Sequence, residues 1–362
     1  MSLARDIADL GSSATRLDTV GSNVVINGAM NVAQRATSAT GVGSGFAYPT
    51  IDRYKIVPST SGRATMTQTA DGPAGFANCL KLECTTADTS IAATEYFILR
   101  QSFEGQDLQH FKKGTSSAEK IIVSFYVKGN AAATYTCELD DADNTRHNSQ
   151  EFSVTTDWTR VILTFDGDTT GAFDDDNARS LNLDFWLHAG SNYTGGTHTD
   201  NVWHTTTNQR VGDNQTSFFD STSRTFFITG IQMEAKRVTD FQHRSYGDEL
   251  LRCQRYLSKW TPDAAGGTYN FFAVGYSYQS TNANIVCQLT QNMRASPTFT
   301  HSGNFRLCSD SCVSVTGIAL SRANTRNPTI VPEVSSGLTA GNAYGLGDNN
   351  DANAYIQFDA EL

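Results

Sequence analysis

The sequence predicts a mainly β protein: a jelly-roll sandwich, a short helical collar and a smaller C-terminal β-sandwich, with a short N-terminal helix. Apolar residues make up 39% and charged residues 18% of the 362 residues, and Thr, Ser, Asn, Asp and Gly are abundant. That composition favours strands and turns. Between residues 63 and 227, short runs rich in Val, Ile, Phe and Tyr alternate with turn residues, as in an antiparallel sandwich. No strand-like run alternates with a long helix, which argues against a doubly wound α/β sheet.

Residues 1–22 form the first predicted segment, a helical attachment segment. Leu3, Ile7, Leu10, Ala14 and Leu17 follow spacings of 4, 3, 4 and 3, the pattern of a coiled-coil seam. Two interpretations stay open: a helix packed on its own chain, or a segment for self-association and docking. Leu3, Ile7, Leu10 and Leu17 are therefore candidate self-association residues.

Residues 23–243 are predicted to form the jelly roll. Asn27-Gly28 is a hairpin-type turn, and the glycine-rich stretch 41–45 is a loop. Strand-like runs follow, including "CLKLECT", "YFILRQSF", "KIIVSFYVKG", "TRVILTF" and "LNLDFWLHAG".

Residues 244–260 are predicted to form a helical collar. Ser245 and Asp248 make an S-x-x-D helix start. One alternative is an amphipathic helix on the edge of a sandwich; the other is a seam between copies of the chain, most simply a homotrimer. A second run of 4, 3, 4, 3 spacing supplies the candidate self-association residues Tyr246, Leu250, Cys253 and Leu257, and it ends at Trp260.

Residues 261–362 are predicted to form the smaller β-sandwich, a tip domain. Cys308 and Cys312 flank "SDS", a turn, and can meet across a hairpin; whether they are bridged stays open. Cys137, Cys253 and Cys287 lie in apolar runs and are expected to be core residues.

Catalytic and cofactor motifs are absent from the sequence. It has no phosphate-binding loop, no dinucleotide fingerprint, no H-E-x-x-H and no nucleophile elbow, so we expect no enzyme and no cofactor. The net charge of −10 disfavours nucleic acid.

Metal sites are not expected either. The acidic runs Asp140–Asn144 and Asp174–Asn177 resemble calcium loops in composition, but the first lacks the glycine and glutamate of such loops. Both are expected to be solvated turns, although calcium binding at either stays open. His188, His198 and His204 fit no zinc spacing and are expected to be polar loop residues.

Aromatic residues in polar stretches are the candidate glycan-binding residues. Aromatic rings stack on sugar rings while amides and hydroxyls bind the sugar hydroxyls. Tyr193 and Trp203 lie in one long polar stretch, and Tyr269, Tyr276 and Tyr278 lie near a second glycine-rich turn. Strand alternation should split the second group between core and surface, and a packing role is the alternative for each residue.

Three stretches resemble bacteriophage tail-fibre and other virion fibre proteins. "NVVINGAMNVAQRATS" with "DRYKI" is similar to the opening of their β-sandwich domains. "ITGIQMEAKRVTDFQHRSYGDELLRCQRYL" is similar to their join to the tip, and "MRASPTFT" and "IQFDAEL" to their C-terminal domain. The resemblance implies a jelly roll akin to carbohydrate-binding modules, a tip domain and commonly a homotrimer. Ala36 and Tyr54 depart from the residues usual at these places.

The expected function is therefore that of a structural virion protein, a short or distal tail fibre on the particle surface. It would contact other virion proteins through its N-terminal segment and attach to host-surface polysaccharide or another envelope receptor. One alternative is a capsid decoration or adaptor protein without a receptor of its own. A third is a secreted carbohydrate-binding module or glycosidase, which the polar N-terminal residues disfavour.

Overall fold

A computed structural model describes residues 23–263 and 269–362. The predicted N-terminal helix, with Leu3, Ile7, Leu10 and Leu17, lies outside the described residues. The chain divides into two compact units, one reaching to Tyr246 and including Leu362, the other spanning Gly247–Glu361. The mainly β prediction is confirmed in both units. None of the helices in the described ranges combines the length and apolar character needed to cross a bilayer.

Two antiparallel sheets form the first unit. The six-stranded sheet has the order β1-β3-β4-β11-β6-β9 and the five-stranded sheet the order β2-β5-β10-β7-β8. The strands are β1 Ser38–Val42, β2 Lys55–Ser59, β3 Arg63–Thr69, β4 Cys79–Thr86, β5 Tyr96–Glu104, β6 Ile121–Gly129, β7 Ala133–Asp141, β8 Arg146–Val154, β9 Thr159–Phe165, β10 Arg179–Ala189 and β11 Thr225–Ala235.

Alternation along the strands builds the core between these sheets. Phe97 and Leu99 of β5, for example, point inward with Phe185 of β10 and pack against residues of the opposite sheet such as Phe125. Because successive side chains of a strand point to opposite faces, the residues between them are left on the outer face of the five-stranded sheet. That outer face carries the candidate site described below.

The second unit contains a closed barrel and a three-stranded sheet. The barrel order is β13-β14-β18-β17-β16-β19, and the sheet order is β12-β20-β15. The strands are β12 Leu257–Trp260, β13 Phe271–Gln279, β14 Asn282–Val286, β15 Thr298–Ser302, β16 Phe305–Cys308, β17 Cys312–Arg322, β18 Thr329–Val334, β19 Ala343–Asp348 and β20 Tyr355–Asp359.

Barrel closure distinguishes this unit from the two-sheet sandwich that the sequence predicted. β13 pairs with β14 on one side and with β19 on the other, which completes the ring. Close approach at Gly275 accompanies the first pairing, because a Cβ there would lie 1.9 Å from the carbonyl oxygen of Asn284. Strand runs alone do not reveal whether the first and last strands meet.

The predicted helical collar is wrong beyond residue 254. The helices of the described ranges are α1 Ser191–Thr194 and α2 Tyr246–Gln254, with 3-10 turns at Gly105–Asp107, Gln109–Phe111 and Thr207–Gln209. Leu257 does not continue α2, because it pairs with Asp359 at the start of β12. The strand pairing therefore overrides the local helical spacing.

The structure also separates the residues of the predicted collar seam into buried and exposed ones. Cys253 and Leu257 are fully buried inside their own chain, and Leu250 is half-buried. Tyr246 and Leu251 are the exposed apolar residues of α2, at 60% and 40% exposure. Cys253 and Leu257 are thus buried within the chain, and Tyr246, Leu250 and Leu251 are the apolar residues of α2 that offer surface.

The cysteine predictions can be compared directly with the structure. Cys308 and Cys312 form a disulfide across the β16–β17 hairpin, where they are register partners. Cys137, Cys253 and Cys287 are buried and form no disulfide in the described part of the chain, so their prediction as core residues is confirmed.

Candidate functional site

A cleft of about 470 Å³ opens on the outer face of the five-stranded sheet. We call it the sheet cleft. β2, β5, β7 and β10 place side chains there that alternate with the inward core residues. α1 and the loop that follows it add side chains at one margin. The sheet cleft is lined by Phe46, Lys55, Val57, Tyr96, Ile98, Arg100, Asp140, Arg179, Trp186, Tyr193 and Arg210.

Three aromatic rings form one wall of the sheet cleft. Tyr193 lies with its ring centroid 5.1 Å from Trp186 and 5.5 Å from Tyr96, and the contact with Tyr96 is edge-on. Trp186 is only 1% exposed, whereas both tyrosines are half-buried. The tyrosines, together with the exposed Phe46, are therefore the rings that a ligand can reach.

Trp186 is held in place by a buried polar contact. Its Nε1 donates to Glu138 Oε2 at 2.8 Å, and the guanidinium of Arg210 lies over its ring at 5.1 Å. Arg210 also donates to both oxygens of Glu138, each at 2.8 Å. Because the indole N–H of Trp186 and both carboxylate oxygens of Glu138 are paired, these contacts fix the position of the Trp186 ring at the floor of the cleft.

A second arginine carries the network across the sheet. Arg100 donates to both carboxylate oxygens of Asp184, at 2.6 and 2.5 Å, and it lies 3.4 Å from Asp140. His147 Nδ1 lies 3.0 Å from the other oxygen of Asp140. Bidentate pairs of this kind fix both partners in one orientation.

The network shifts the acidities of its members in different directions. Burial tends to raise the pKa of Asp140, but the hydrogen bond from His147 and the charges of Arg210 and Arg100 hold it well below its ordinary value. Burial raises the pKa of Asp184, and the facing Arg100 opposes that rise.

The structure brings one of the predicted site residues to this cleft and leaves the others elsewhere. Tyr193 lines it. Trp203 packs partly against the core of the first unit, and its Nε1 donates to the carbonyl oxygen of Asp166 at 2.7 Å. Trp203 therefore makes packing contacts, and a glycan-binding role for it stays a prediction.

The other three candidates lie in the second unit. Tyr276 and Tyr278 point outward from β13 at 52% and 45% exposure, while Phe272 of the same strand packs on the barrel core. Tyr269 is 46% exposed, with the guanidinium of Arg306 at 4.0 Å from its ring centroid. None of the three lines the sheet cleft.

Several cleft residues were missed by the sequence reasoning. Tyr96, Arg100 and Trp186 lie within strand-like runs, where their apolar neighbours dominate the pattern. A signal was present: Arg100 and Asp184 are charged residues next to large apolar residues in strand-like runs, and a buried charge needs a partner.

At the first of the two calcium-like runs, Asp140–Asn144, a lysine side chain from another segment supplies a positive charge. Lys113, only 5% exposed, places Nζ 2.5 Å from Asp141 and 3.2 Å from Asp168. The same Nζ donates to the carbonyl oxygens of Thr170 and Gly171, at 3.0 and 2.7 Å. We call these groups the lysine-filled cluster. The ammonium thus contacts two carboxylate and two carbonyl oxygens, which are ligand types that a calcium ion would also use.

Asp174–Asn177 remains an exposed turn, in which the backbone N–H of Asp174 donates to Asp143. His188, in contrast, is not the polar loop residue that was expected. It lies within β10 and is fully buried, because the strand extends to Ala189.

Comparisons with known proteins give distant structural likenesses only. No family model matches the chain, and no curated protein matches it. A family 4 carbohydrate-binding module has a TM-score of 0.32 at 10% identity, covering 58% of this chain and 98% of its own. A family 11 carbohydrate-binding module from Clostridium thermocellum, in complex with a β-1,3-1,4-mixed-linked tetrasaccharide, has a TM-score of 0.29 at 10% identity, with 57% and 98% covered.

The enzymatically active domain of bacteriophage CBA120 tailspike protein 4 has a TM-score of 0.31 at 12% identity, covering 59% of this chain and 21% of its own. Scores this low identify neither a family nor a function. The function must therefore be argued from the residues of the site.

Proposed function

We propose that this chain is a glycan-binding attachment protein of a bacteriophage virion, and that the sheet cleft is its binding site. The observation that carries the proposal is the combination of accessible aromatic rings with fixed charges in one cleft. Tyr96 and Tyr193 offer faces and edges to sugar rings, while Arg100, Arg210 and Asp140 offer donors and acceptors for hydroxyls.

The acidic groups of the sheet cleft are held by hydrogen bonds and facing arginines, and this favours binding rather than catalysis. Asp140 accepts from Asn182 at 2.9 Å and faces two arginines, and Glu138 accepts from Arg210 and Trp186. Glycoside hydrolysis requires one carboxyl group with a raised pKa that can donate a proton to the leaving oxygen. The only lining carboxylate of the described cleft, Asp140, has a lowered pKa instead.

The virion location and the homotrimer belong to the same proposal. They are supported by the resemblance of the sequence to fibre proteins and by the apolar surface on α2. Weak contacts between single sugars and one cleft would gain avidity from several clefts on one particle. The mass of the purified chain in solution tests this part; a monomer would contradict the trimer.

The seam can be tested without disturbing the core. Tyr246→Asp combined with Leu251→Asp places charges on exposed positions and should dissociate a trimer that buries α2. The double change Leu250→Asp and Leu257→Asp is unsuitable, because Leu257 is fully buried within its own chain. An unchanged wild-type mass in the first variant would remove α2 from the interface.

The binding site is tested with a panel of neutral and acidic soluble polysaccharides in affinity electrophoresis. We expect retardation by at least one of them, and a loss of about 5-fold in affinity for Tyr193→Ala, since a stacked ring contributes about 1 kcal/mol. Tyr278→Ala is the matched control, an exposed tyrosine on the other unit.

Two outcomes would redirect the assignment. If Tyr278→Ala abolishes binding and Tyr193→Ala does not, the barrel surface is the site. If no polysaccharide retards the wild type, the decoration or adaptor function becomes the better hypothesis.

A further inference from the structure

A second group of chemically active side chains lies in the first unit. Asp88 follows β4, Glu95 directly precedes β5, and His188 lies near the end of β10. One potential ligand atom from each lies within 4.8 Å of the other two. We call these residues the His188 cluster.

His188 has an unpartnered nitrogen aimed into this cluster. Its Nδ1 is 2.8 Å from the hydroxyl of Ser217, but its Nε2 is buried without any hydrogen-bond partner. That Nε2 lies 3.8 Å from the nearer oxygen of Glu95, beyond hydrogen-bonding distance. Burying a polar atom without a hydrogen-bond partner costs free energy, and a ligand bound at this nitrogen would remove that cost.

The two carboxylates also have oxygen atoms that can bind a cation, because each accepts its hydrogen bonds through one oxygen. Asp88 accepts its hydrogen bonds from Thr60 and Ser61 through Oδ2, at 2.7 and 3.0 Å. Glu95 accepts from the backbone of Ala92 through Oε2 at 2.7 Å. Among the residues that the structure describes, no lysine or arginine forms an ion pair with either carboxylate.

We propose that the His188 cluster binds one divalent transition-metal cation, with zinc as the best match. Two carboxylates and one imidazole are an established donor type for zinc, and water would complete the coordination. A histidine ligand disfavours calcium, which takes oxygen donors. The Ser217 hydroxyl on Nδ1 supplies the outer hydrogen bond that orients a metal-binding imidazole.

The geometry requires only a small contraction. Ligand atoms at about 2.0–2.2 Å from a tetrahedral zinc ion lie roughly 3.3–3.6 Å apart. The three side chains come from separate segments, so a bound cation would tie the β4–β5 connection to β10. Glu95 directly precedes Tyr96, and His188 is two residues beyond Trp186, so the tie lies next in sequence to two rings of the sheet cleft.

Calorimetric titration tests the proposal. The chain is stripped with EDTA, dialysed into metal-free buffer and titrated with zinc chloride, with calcium chloride as a second probe. We expect one zinc per chain and weaker or no heat with calcium. Glu95→Gln, a near-isosteric change, should weaken zinc binding by at least about 100-fold, more than the loss of an outer hydrogen bond would.

Three controls keep the result interpretable. His198→Gln, a histidine elsewhere in the same unit, should leave the titration unchanged. If Asp88→Asn or His188→Gln does not fold, Glu95→Gln still decides. X-ray absorption of the zinc-loaded chain should show nitrogen and oxygen neighbours; sulfur neighbours would place the metal on cysteines and overturn the proposal. Absence of saturable zinc binding, or equal affinity in Glu95→Gln, would also overturn it.

Discussion

The lysine-filled cluster and the His188 cluster differ in the group that faces their two carboxylates. Each gathers two carboxylates within the jelly roll. In the first, Lys113 brings an ammonium to within 2.5 Å of Asp141 and 3.2 Å of Asp168. In the second, the third member is an imidazole, and burial lowers the pKa of His188 against the opposing influence of Asp88 and Glu95.

The comparison shows that an acidic loop motif is a poor guide to where a cation binds. The run at Asp140–Asn144 has the composition of a calcium loop, yet a side chain from another segment supplies its positive charge. The His188 cluster has no recognisable motif, because its members come from the β4–β5 connection and from β10, which are far apart in the sequence. The two clusters therefore give opposite expectations for mutation.

The largest effect is expected for Lys113→Met. Removing one partner leaves Asp141 and Asp168 buried with less compensation, and breaking a buried pair typically costs about 3–5 kcal/mol. Urea unfolding of the first unit measures it. A loss below about 1 kcal/mol would show that water replaces the ammonium easily. Lys112→Met, at an exposed neighbouring lysine, is the matched control.

A somewhat smaller effect is expected from calcium on Lys113→Ala. The vacated centre is surrounded by two carboxylates and two carbonyl oxygens, which are donors that calcium accepts. Calcium at ten times its dissociation constant would restore about 1.4 kcal/mol. Thermal unfolding with and without calcium measures the gain, and an equal gain in the wild type would contradict it.

The dependence of the free energy of unfolding on acidic pH offers a third test. Burial opposes ionisation of Asp168, but the hydrogen bond from Arg146 and the charge of Lys113 lower its folded pKa below the ordinary value of 3.8. A lowered carboxyl pKa contributes stability above the unfolded pKa, and that contribution is lost as the pH falls through the folded pKa. Asp168→Asn should therefore flatten the decline in stability below about pH 4. An unchanged slope between the two proteins would refute this assignment.

The smallest effect is expected for Glu95→Gln in EDTA. Without a metal, Glu95 faces a neutral imidazole and another carboxylate, so removing its charge should change stability by no more than about 0.5 kcal/mol. The same variant should lose any zinc-dependent rise in melting temperature. A cost of several kcal/mol in EDTA would mean that His188 is protonated and paired, as in the lysine-filled cluster.

Much of the fold could be predicted because its causes are local. Turn residues and alternating apolar positions specify strands, and runs such as "KIIVSFYVKG" became β6. Leu257 shows where local pattern fails: its helical spacing from Cys253 is real, but pairing with β20 determines its conformation. Barrel closure was hidden for the same reason, since it depends on the pairing of β13 with β19, which are far apart in the sequence.

The candidate site was less predictable. Tyr193 could be found because it follows a strand in a polar stretch, whereas Tyr96 and Trp186 lie in the middle of apolar runs. Sequence shows that residues of one strand share a face, but not which strands lie beside one another. The contact between Arg100 and Asp184, 84 residues apart, arises only when β5 and β10 pair.

The closed ring of six strands in the second unit affects how copies of the barrel can associate at high concentration. An open sheet exposes a row of unsatisfied N–H and C=O groups to which a strand from a neighbouring molecule can bond. A closed cylinder of strands offers no such row, so a strand from a neighbouring copy cannot extend the barrel into a larger sheet.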